Sequence, residues 1–589
     1  MKLSIDRPTT VSESAAYEEV TITPGGSLAA PEGKFVTLTV NGIGVDPVPG
    51  TYTGDVRITV SDAFVKEGRR FGKSVVSSFR SAICVEDGRL RTGNAVPALA
   101  QGGTVTDSEA NDVTIESHQW DYNGFYITGD SKYTINRAAI RLYGDGTDDF
   151  SGLGAGIAAA GNAEVTVNDS TVYTEGTTRG TAFIGGHATL TMNDCELSTV
   201  SGTPTREELA KGREQHRMME PPWAIRLRGH GRTTNLAGFG TFVLNRCHAV
   251  SNSWGVLSVD GAVVNRMVVR DCLIELNGVN GYGLFSICDD TDFDYGAYGD
   301  YGCLDVVDHS VIRVPTFGIV MSLGSSAGLF TNGSCVRSEH FGAHIFRNNG
   351  GKLRIEKKSE FHTGDACITV KGSNTTIELD DAVMDSKNGV ILQLMDNDDP
   401  GMSAAAFRIP VGKTDTPSGK DLFAAAPDED VFVSVSNMTA VGDFLNSTTD
   451  LHANCLGQEN DPEPVRGMGW SLQGAKNLDL TLTNATIRGR ISSATQAYRE
   501  GLTEIVKETC EELLSITQTP APPVNNGVIL HLDADSTWVI TDLCYLTGLD
   551  MAPGARLITE DGSVPVMTVD GVPTQPGTTR LRGIIVLHP

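Results

Sequence analysis

One pattern returns along this sequence at a nearly fixed interval, and it limits the folds open to the chain. Its plainest form is AEVTVNDSTVYTEGTTRGTAFIGGHATLTMNDCELSTV, residues 163–200. The small residue after each Asn-Asp pair aligns from Ser170 through Cys195, Cys247, Cys272, Ser310, Ser334 and Ser359 to Ala382, at intervals of 25, 52, 25, 38, 24, 25 and 23 residues. The long intervals read as one period plus an insertion. Two residues on, Val172, Leu197, Ala249, Ile274, Ile312, Val336, Phe361 and Met384 form a second apolar column, the alternation of a strand. A unit of three short strands cannot bury its apolar face alone, but stacked on copies of itself it can. The pattern therefore predicts an all-β solenoid.

The corner before each aligned residue is Asn168-Asp169, Asn193-Asp194, Asn245-Arg246 or Asn332-Gly333. Asn, Asp and Gly accept the left-handed backbone that a two-residue corner needs. With one tight Asn corner per coil, residues 110–495 resemble the right-handed parallel β-helix of the pectate-lyase-like superfamily. The resemblance is architectural and implies about eleven coils of about 25 residues. Proteins of this fold mostly act on sugars as lyases, hydrolases or epimerases, so it also implies a redox-neutral acid/base enzyme acting on a glycan, glycoside or other polyhydroxylated molecule.

The two ends look like copies of one module. Residues 5–42 align without gaps to 534–571, pairing Asp6 with Asp535, Pro24-Gly25 with Pro553-Gly554, and Leu28 with Leu557. Their alternation predicts small β units, either caps that stop strand addition or modules that join chains into a homo-oligomer. The expected organisation is an N-terminal β module (1–60), a lead-in segment (61–109), the parallel β-helix (110–493), an amphipathic helix over 494–515 with a Pro-rich linker to 526, and a C-terminal β module (527–589). Leu502, Ile505, Val506, Leu513 and Leu514 supply the apolar side of that helix. A shorter helix is expected in the insertion 201–222, opened by the capping sequence Thr205-Arg206-Glu207-Glu208.

A net charge of −27 argues against nucleic acid or an anionic membrane as partner. The first residues contain no apolar signal core, and no apolar run is long enough to span a bilayer, so the expected location is cytoplasmic. Cys195, Cys247 and Cys272 fall in the inward column, where a thiol acts as a small apolar filler. No Cys/His spacing points to zinc, and no metal ligand is assigned.

The second strand after the Asn corner reads WAIRLRG, WGVLSVDG, YGLFSICD, FGIVMSLG, FGAHIFRN, DACITVKG and NGVILQLMD between Trp223 and Asp396, with long insertions on both sides. With Ala343 and its equivalents inward, the outward set is Arg226, Leu257, Phe285, Val320, His344, Ile368 and Ile391, a surface unusually apolar for a groove. Loops, a second chain or an apolar-faced substrate would have to cover it. His344 stands out there. Histidine suits proton transfer near neutrality, and Arg347 and Lys371 at the strand ends suit stabilising an enolate or carboxylate. Asp289 and Asp396 would reach the site from acidic insertions.

Arg226 and Arg228 lie four coils away on this reading, about 19 Å at 4.8 Å per coil, so they either anchor the far end of a long substrate or are ordinary solvated arginines. Trp223, Trp254 and Tyr282 form an aromatic column, open to ring stacking or to structural packing. Asp365, with Gln393 beyond it, sits in HTGDACITVKG, a stretch that resembles the GDDCIAI segment of polygalacturonase-type glycosidases. Ala366 replaces the second acid, so that family's two-carboxylate mechanism is not carried over. The acidic insertions lack the EF-hand pattern, which leaves calcium as a minor option and no other cofactor. The competing reading is a non-catalytic binding or assembly protein that uses the apolar face as its interface.

Overall fold

The computed structural model describes the chain except residues 71–72, 206, 210–220, 222–224, 261–264, 289–303, 324–327, 346–350, 372–373, 396–429, 449–475, 503–506, 525–526 and 578–579. Among the described residues it is all-β, with 60% strand against 3% helix. The strands form long, mostly parallel sheets, an arrangement compatible with a parallel β-helix. The chain divides into two compact units, one built from Met1–Pro221 and Gly229–Gly278, the other from Pro222–Arg228 and from Val279 onward.

In the first unit each coil supplies a strand to each of three sheets. The coil Glu164–Asn168, Thr171–Gly176, Ala182–Ile184 shows the order, and its strands pair in parallel with Thr189–Asn193, Glu196–Ser201 and Thr234–Leu236. We call these sheets 1, 2 and 3 in that order. The corner between sheets 1 and 2 has a clear physical basis. Asn111, Asn136, Asn168, Asn193 and Asn245 form a ladder in which each side-chain amide donates to the carbonyl of the Asn one coil earlier, at 2.8–2.9 Å. The residue after each adopts the left-handed conformation, with φ between 50° and 58° at Asp112, Arg137, Asp169, Asp194 and Arg246. Non-glycine residues accept this backbone only reluctantly, Asn and Asp most readily. Bidentate pairs Arg137–Asp112 and Arg246–Asp194 then tie neighbouring corners together.

The second unit repeats the scheme. Sheet 1 includes Leu304–Asp308, Gly328–Asn332 and Lys352–Glu356; sheet 2 includes Val311–Val314, Cys335–Ser338, Glu360–Thr363 and Val383–Ser386; sheet 3 runs from Tyr282–Cys288 through Phe317–Leu323, Phe341–Ile345, Ile368–Val370, Val390–Leu394 and Asp443–Asn446 to Ile491–Tyr498. On sheet 2, Ile312, Val336, Phe361 and Met384 are buried, while Arg313, Arg337 and Asp385 are exposed. The aligned cysteines Cys195, Cys247 and Cys272 are buried free thiols.

Three sequence expectations are corrected. Residues 494–515 are not an amphipathic α-helix. The described part continues strand Ile491–Tyr498, turns through 3-10 segments Arg499–Gly501 and Lys507–Glu512, and returns as Ile516–Pro520, antiparallel to Ile491–Tyr498. The apolar spacing that suggested a helix instead buries Leu513 and Leu514 against the second unit. The Pro-rich linker therefore begins with a paired strand. Second, the sheet 3 strand before Gly255–Val259 is Thr234–Leu236, not WAIRLRG; Arg226 lies in a turn with φ 58°. Third, sheet 3 slips by one residue after Ile345. Ala343 pairs with Ile368 and His344 with Thr369, because Cys367 stays at the corner, where its carbonyl accepts from Ala343 N at 2.8 Å. The short helix of 201–222 lies mostly outside the described residues, but its reciprocal cap is present: Thr205 N donates to Glu208 at 2.6 Å, and Glu208 N donates to Thr205 Oγ1 at 3.2 Å.

Both chain ends show the same pairing. Ala15–Ile22 pairs antiparallel with Gly50–Asp62 and carries a bulge between Tyr17 and Glu19; Cys544–Met551 pairs with Arg580–His588 and carries one between Leu546 and Gly548. Thr9 faces Leu28 as Trp538 faces Leu557, and Thr39 faces Gly44 as Thr568 faces Pro573. The two ends differ in which edge is in use. At the N-terminal end Gly44 pairs with Ser117 of the first coil; its counterpart Pro573 lies at an edge with no further strand among the described residues. At the C-terminal end Thr537 pairs with Thr486 and donates its N–H to Ala485 O at 2.9 Å. Its counterpart Pro8 has no N–H to give, and among the described residues Pro8–Thr10 pairs with Ser27–Ala29 alone.

Candidate functional site

In-register parallel stacking puts paired side chains on one face of a sheet. In the second unit Phe285, Val320, His344, Thr369 and Gln393 form such a column on sheet 3. The column is not an open groove, because the chain itself covers it. Gln393 Nε2 donates to Leu514 O at 3.1 Å, and Gln518 Nε2 donates to Leu394 O at 2.7 Å. The turn at Arg226 joins this cover, with Arg226 Nη1 donating to Leu513 O and Ser515 Oγ, both at 3.1 Å.

His344, expected on the outward face of a groove, is 0% exposed. Its ring stacks on Phe317 at 5.2 Å and 24°, and Phe317 stacks on Phe341 at 5.7 Å. Burial first, then the nearby Lys371 charge, holds the imidazole pKa well below its usual 6.5; a hydrogen bond to the Thr369 backbone opposes this, and Arg226 adds to the lowering. His344 is therefore a neutral base at physiological pH. Lys371 is also fully buried, and its carbonyl accepts from the buried Lys476 Nζ at 3.2 Å.

Arg226 does not sit four coils from His344. The turn carries its guanidinium to 5.5 Å from the Phe341 ring centre, within electrostatic reach of His344. Arg226 Nε is buried without an acceptor among the described residues. Arg228 points to the rim, bonding Cys510 Sγ at 3.3 Å and Glu511 at 2.6 Å.

Asp365 is bound within the protein. It bonds His340 Nδ1 at 2.8 Å and pairs with Arg499, pinning the start of the covering segment. Burial pushes its pKa up, but His340 and Arg499 outweigh this and hold it below the usual carboxylate range. Tyr282 packs in the interior with Phe285, ring centres 5.0 Å apart. The column headed by Tyr282, Phe317 and Phe341 is thus buried structure rather than an exposed stacking platform. Trp223, Arg347, Asp289 and Asp396 lie outside the described residues.

Trp254 belongs to the first unit, in a cluster the sequence did not reveal. Arg232 is 3% exposed, with Nε 2.7 Å from Asp149, Nη1 2.8 Å from Asp260, and its guanidinium 4.8 Å and 5.2 Å from the Phe150 and Trp254 rings. Burial raises the Asp149 pKa despite Arg232. Arg232 follows WAIRLRG in the sequence outside the aligned columns, so only the register could have exposed it. Among the described residues no helix is long and apolar enough to cross a membrane. No protein-family model matches this sequence and no curated protein matches it significantly, so the functional reading rests on this geometry.

Proposed function

We propose that the chain is a right-handed parallel β-helix of pectate-lyase-like architecture, about eleven coils long, ended by two copies of one β module. Its covered sheet 3 face in the second unit is an acid/base site for a small polyhydroxylated molecule bearing a carboxylate. The observation that carries this reading is the convergence of buried Arg226 and Lys371 on the neutral imidazole of His344. A neutral imidazole can remove a proton α to a carboxylate, and two flanking cations stabilise the enediolate that forms. Elimination and isomerisation both proceed from that intermediate, which favours a lyase or epimerase over a hydrolase. Substrate entry requires residues 510–515 to move, since Leu513 and Ser515 occupy Arg226.

The same cover disfavours use of this face as an interface between chains. The remaining alternative is a binding protein that holds the same ligand without turnover. A thermal-shift screen of hexuronates, aldonates and neutral glycosides, followed by NMR of each stabilising compound with protein, separates the readings. Product formation that falls about 10²–10⁴-fold in His344→Ala supports catalysis. Stabilisation without product, lost in Arg226→Ala but kept in His344→Ala, supports binding alone. No stabilisation by any acid sugar removes both.

A further inference from the structure

A second cluster lies on the outer face of sheet 2, remote from the covered column. Cys335 pairs with Glu360, and His362, two residues beyond Glu360 and on the same face, pairs with Arg337 and Asp385. The thiol of Cys335, one carboxylate oxygen of Glu360 and one ring nitrogen of His362 all lie within 4.8 Å of one another. All three are half-buried, and Cys335 is a free thiol. His362 is already oriented by its neighbours: Nε2 is 3.0 Å from Glu360 and Nδ1 is 3.0 Å from Asp385.

We propose that Cys335, Glu360 and His362 bind one zinc ion, with Asp385 as the positioning residue behind His362. One sulfur, one nitrogen and one oxygen donor suit a borderline-soft ion that takes four ligands, and water fills the fourth position. Binding replaces two protons, one on the thiol and one on Nε2. Glu360 then turns from the imidazole to the metal. Asp385 keeps accepting the Nδ1 proton, which fixes the tautomer that leaves Nε2 free, the carboxylate–histidine–metal arrangement common to zinc sites. The carboxylates of Asp385 and Glu360 thus face the ring from opposite nitrogens. Arg337 pairs with His362 on the neighbouring strand, and its positive charge and the three-residue ligand set make the expected site weaker than a four-ligand structural centre. Cys335 lies one coil period before Glu360, and His362 lies two residues beyond it. They therefore match no zinc-finger spacing and become neighbours only once the coils stack.

The test is titration of full-length, metal-stripped protein with zinc chloride against a chromophoric chelator, and with cobalt(II) followed by absorption. The expected result is one high-affinity zinc per chain and a thiolate-to-cobalt charge-transfer band. Cys335→Ser and His362→Gln each remove the band and weaken zinc by at least about 100-fold, and Asp385→Asn weakens it by about 10- to 100-fold. All three residues lie on a solvent-facing sheet, and unchanged circular dichroism establishes that the variants fold. Zinc bound equally well by Cys335→Ser, or a charge-transfer band that survives it, overturns the proposal. So does the lack of any zinc binding by the parent protein. Binding lost in Cys335→Ser but unchanged in Asp385→Asn leaves the site and removes the positioning role.

Discussion

Thr537→Pro moves a residue from one end of the chain to the matched position at the other. In the native structure Thr537 N donates to Ala485 O at 2.9 Å, holding the C-terminal module to the coil before it. Proline removes this donor and leaves the carbonyl of Ala485, a 2% exposed residue, without its partner. An unmatched buried acceptor costs about 1–3 kcal/mol. Local opening around Thr537–Ile540 should therefore become about 5- to 150-fold more frequent. Hydrogen exchange by mass spectrometry on peptides containing Trp538 reads this directly, because Trp538 is fully buried and bonds Gly489 O at 2.9 Å. The reciprocal change, Pro8→Thr, should leave exchange at the N-terminal module almost unaltered. It should instead make the free edge competent to pair, visible as concentration-dependent association in sedimentation. If Thr537→Pro leaves exchange at Trp538 unchanged, or Pro8→Thr remains monomeric at every concentration at which the parent is monomeric, edge prolines do not decide where the solenoid stops.

The low pKa of His344 fixes a sign: its unfolded form takes up a proton near pH 6.5 while the folded form does not. Stability contributed at neutral pH is thus lost as pH falls below about 6.5, and His344→Gln should flatten this dependence in exchange at the Lys371 amide, which bonds Ile345 O at 2.8 Å. Asp365→Asn weakens the tie to His340 and Arg499 and should raise protease cleavage within 499–515 several-fold, with sheets 1 and 2 unaffected. Arg226→Met keeps most of the packing against Phe341 but gives up two hydrogen bonds to Leu513 and Ser515, so the same segment should show faster exchange by about 5- to 30-fold, near 1–2 kcal/mol.

The stacking was legible because it is local chemistry repeated. Asn168 and Asn193 must sit where the chain turns left-handed, and Val172 and Leu197 must face inward, so alignment of these positions yields sheets 1 and 2. Sheet 3 was less legible, since nothing in a strand names its register. Cys367 remaining at the corner shifts Ile368–Val370 by one position, and the next strand, Val390–Leu394, is displaced by a second. The position of Arg226 was beyond reach: its contacts with Leu513 and Ser515 span 287 and 289 residues, and no periodic pattern announces them. The segment 494–515 misled for a related reason. Its apolar residues satisfy a helical period, but Leu513 and Leu514 are buried by a tertiary contact, and packing outweighs a weak helical preference.

The two clusters that sequence reading located poorly differ in electrostatic kind, and the difference bears on function. In the first unit Arg232 meets two carboxylates and two aromatic faces, so the group is self-contained. Such buried pairs add little net stability over apolar packing, because desolvation consumes most of the Coulomb gain. Replacing the cluster with apolar residues of similar volume should therefore be tolerated, whereas removing Arg232 alone should cost about 3–5 kcal/mol by stranding Asp149. In the second unit two cations face a neutral imidazole, and their mutual effect on it is repulsive towards protonation. An arrangement that penalises a positive charge on His344 has no value as a salt bridge. On the function proposed above it would gain value when an anion enters, since each cation would then become favourable and His344 could accept the proton it otherwise refuses.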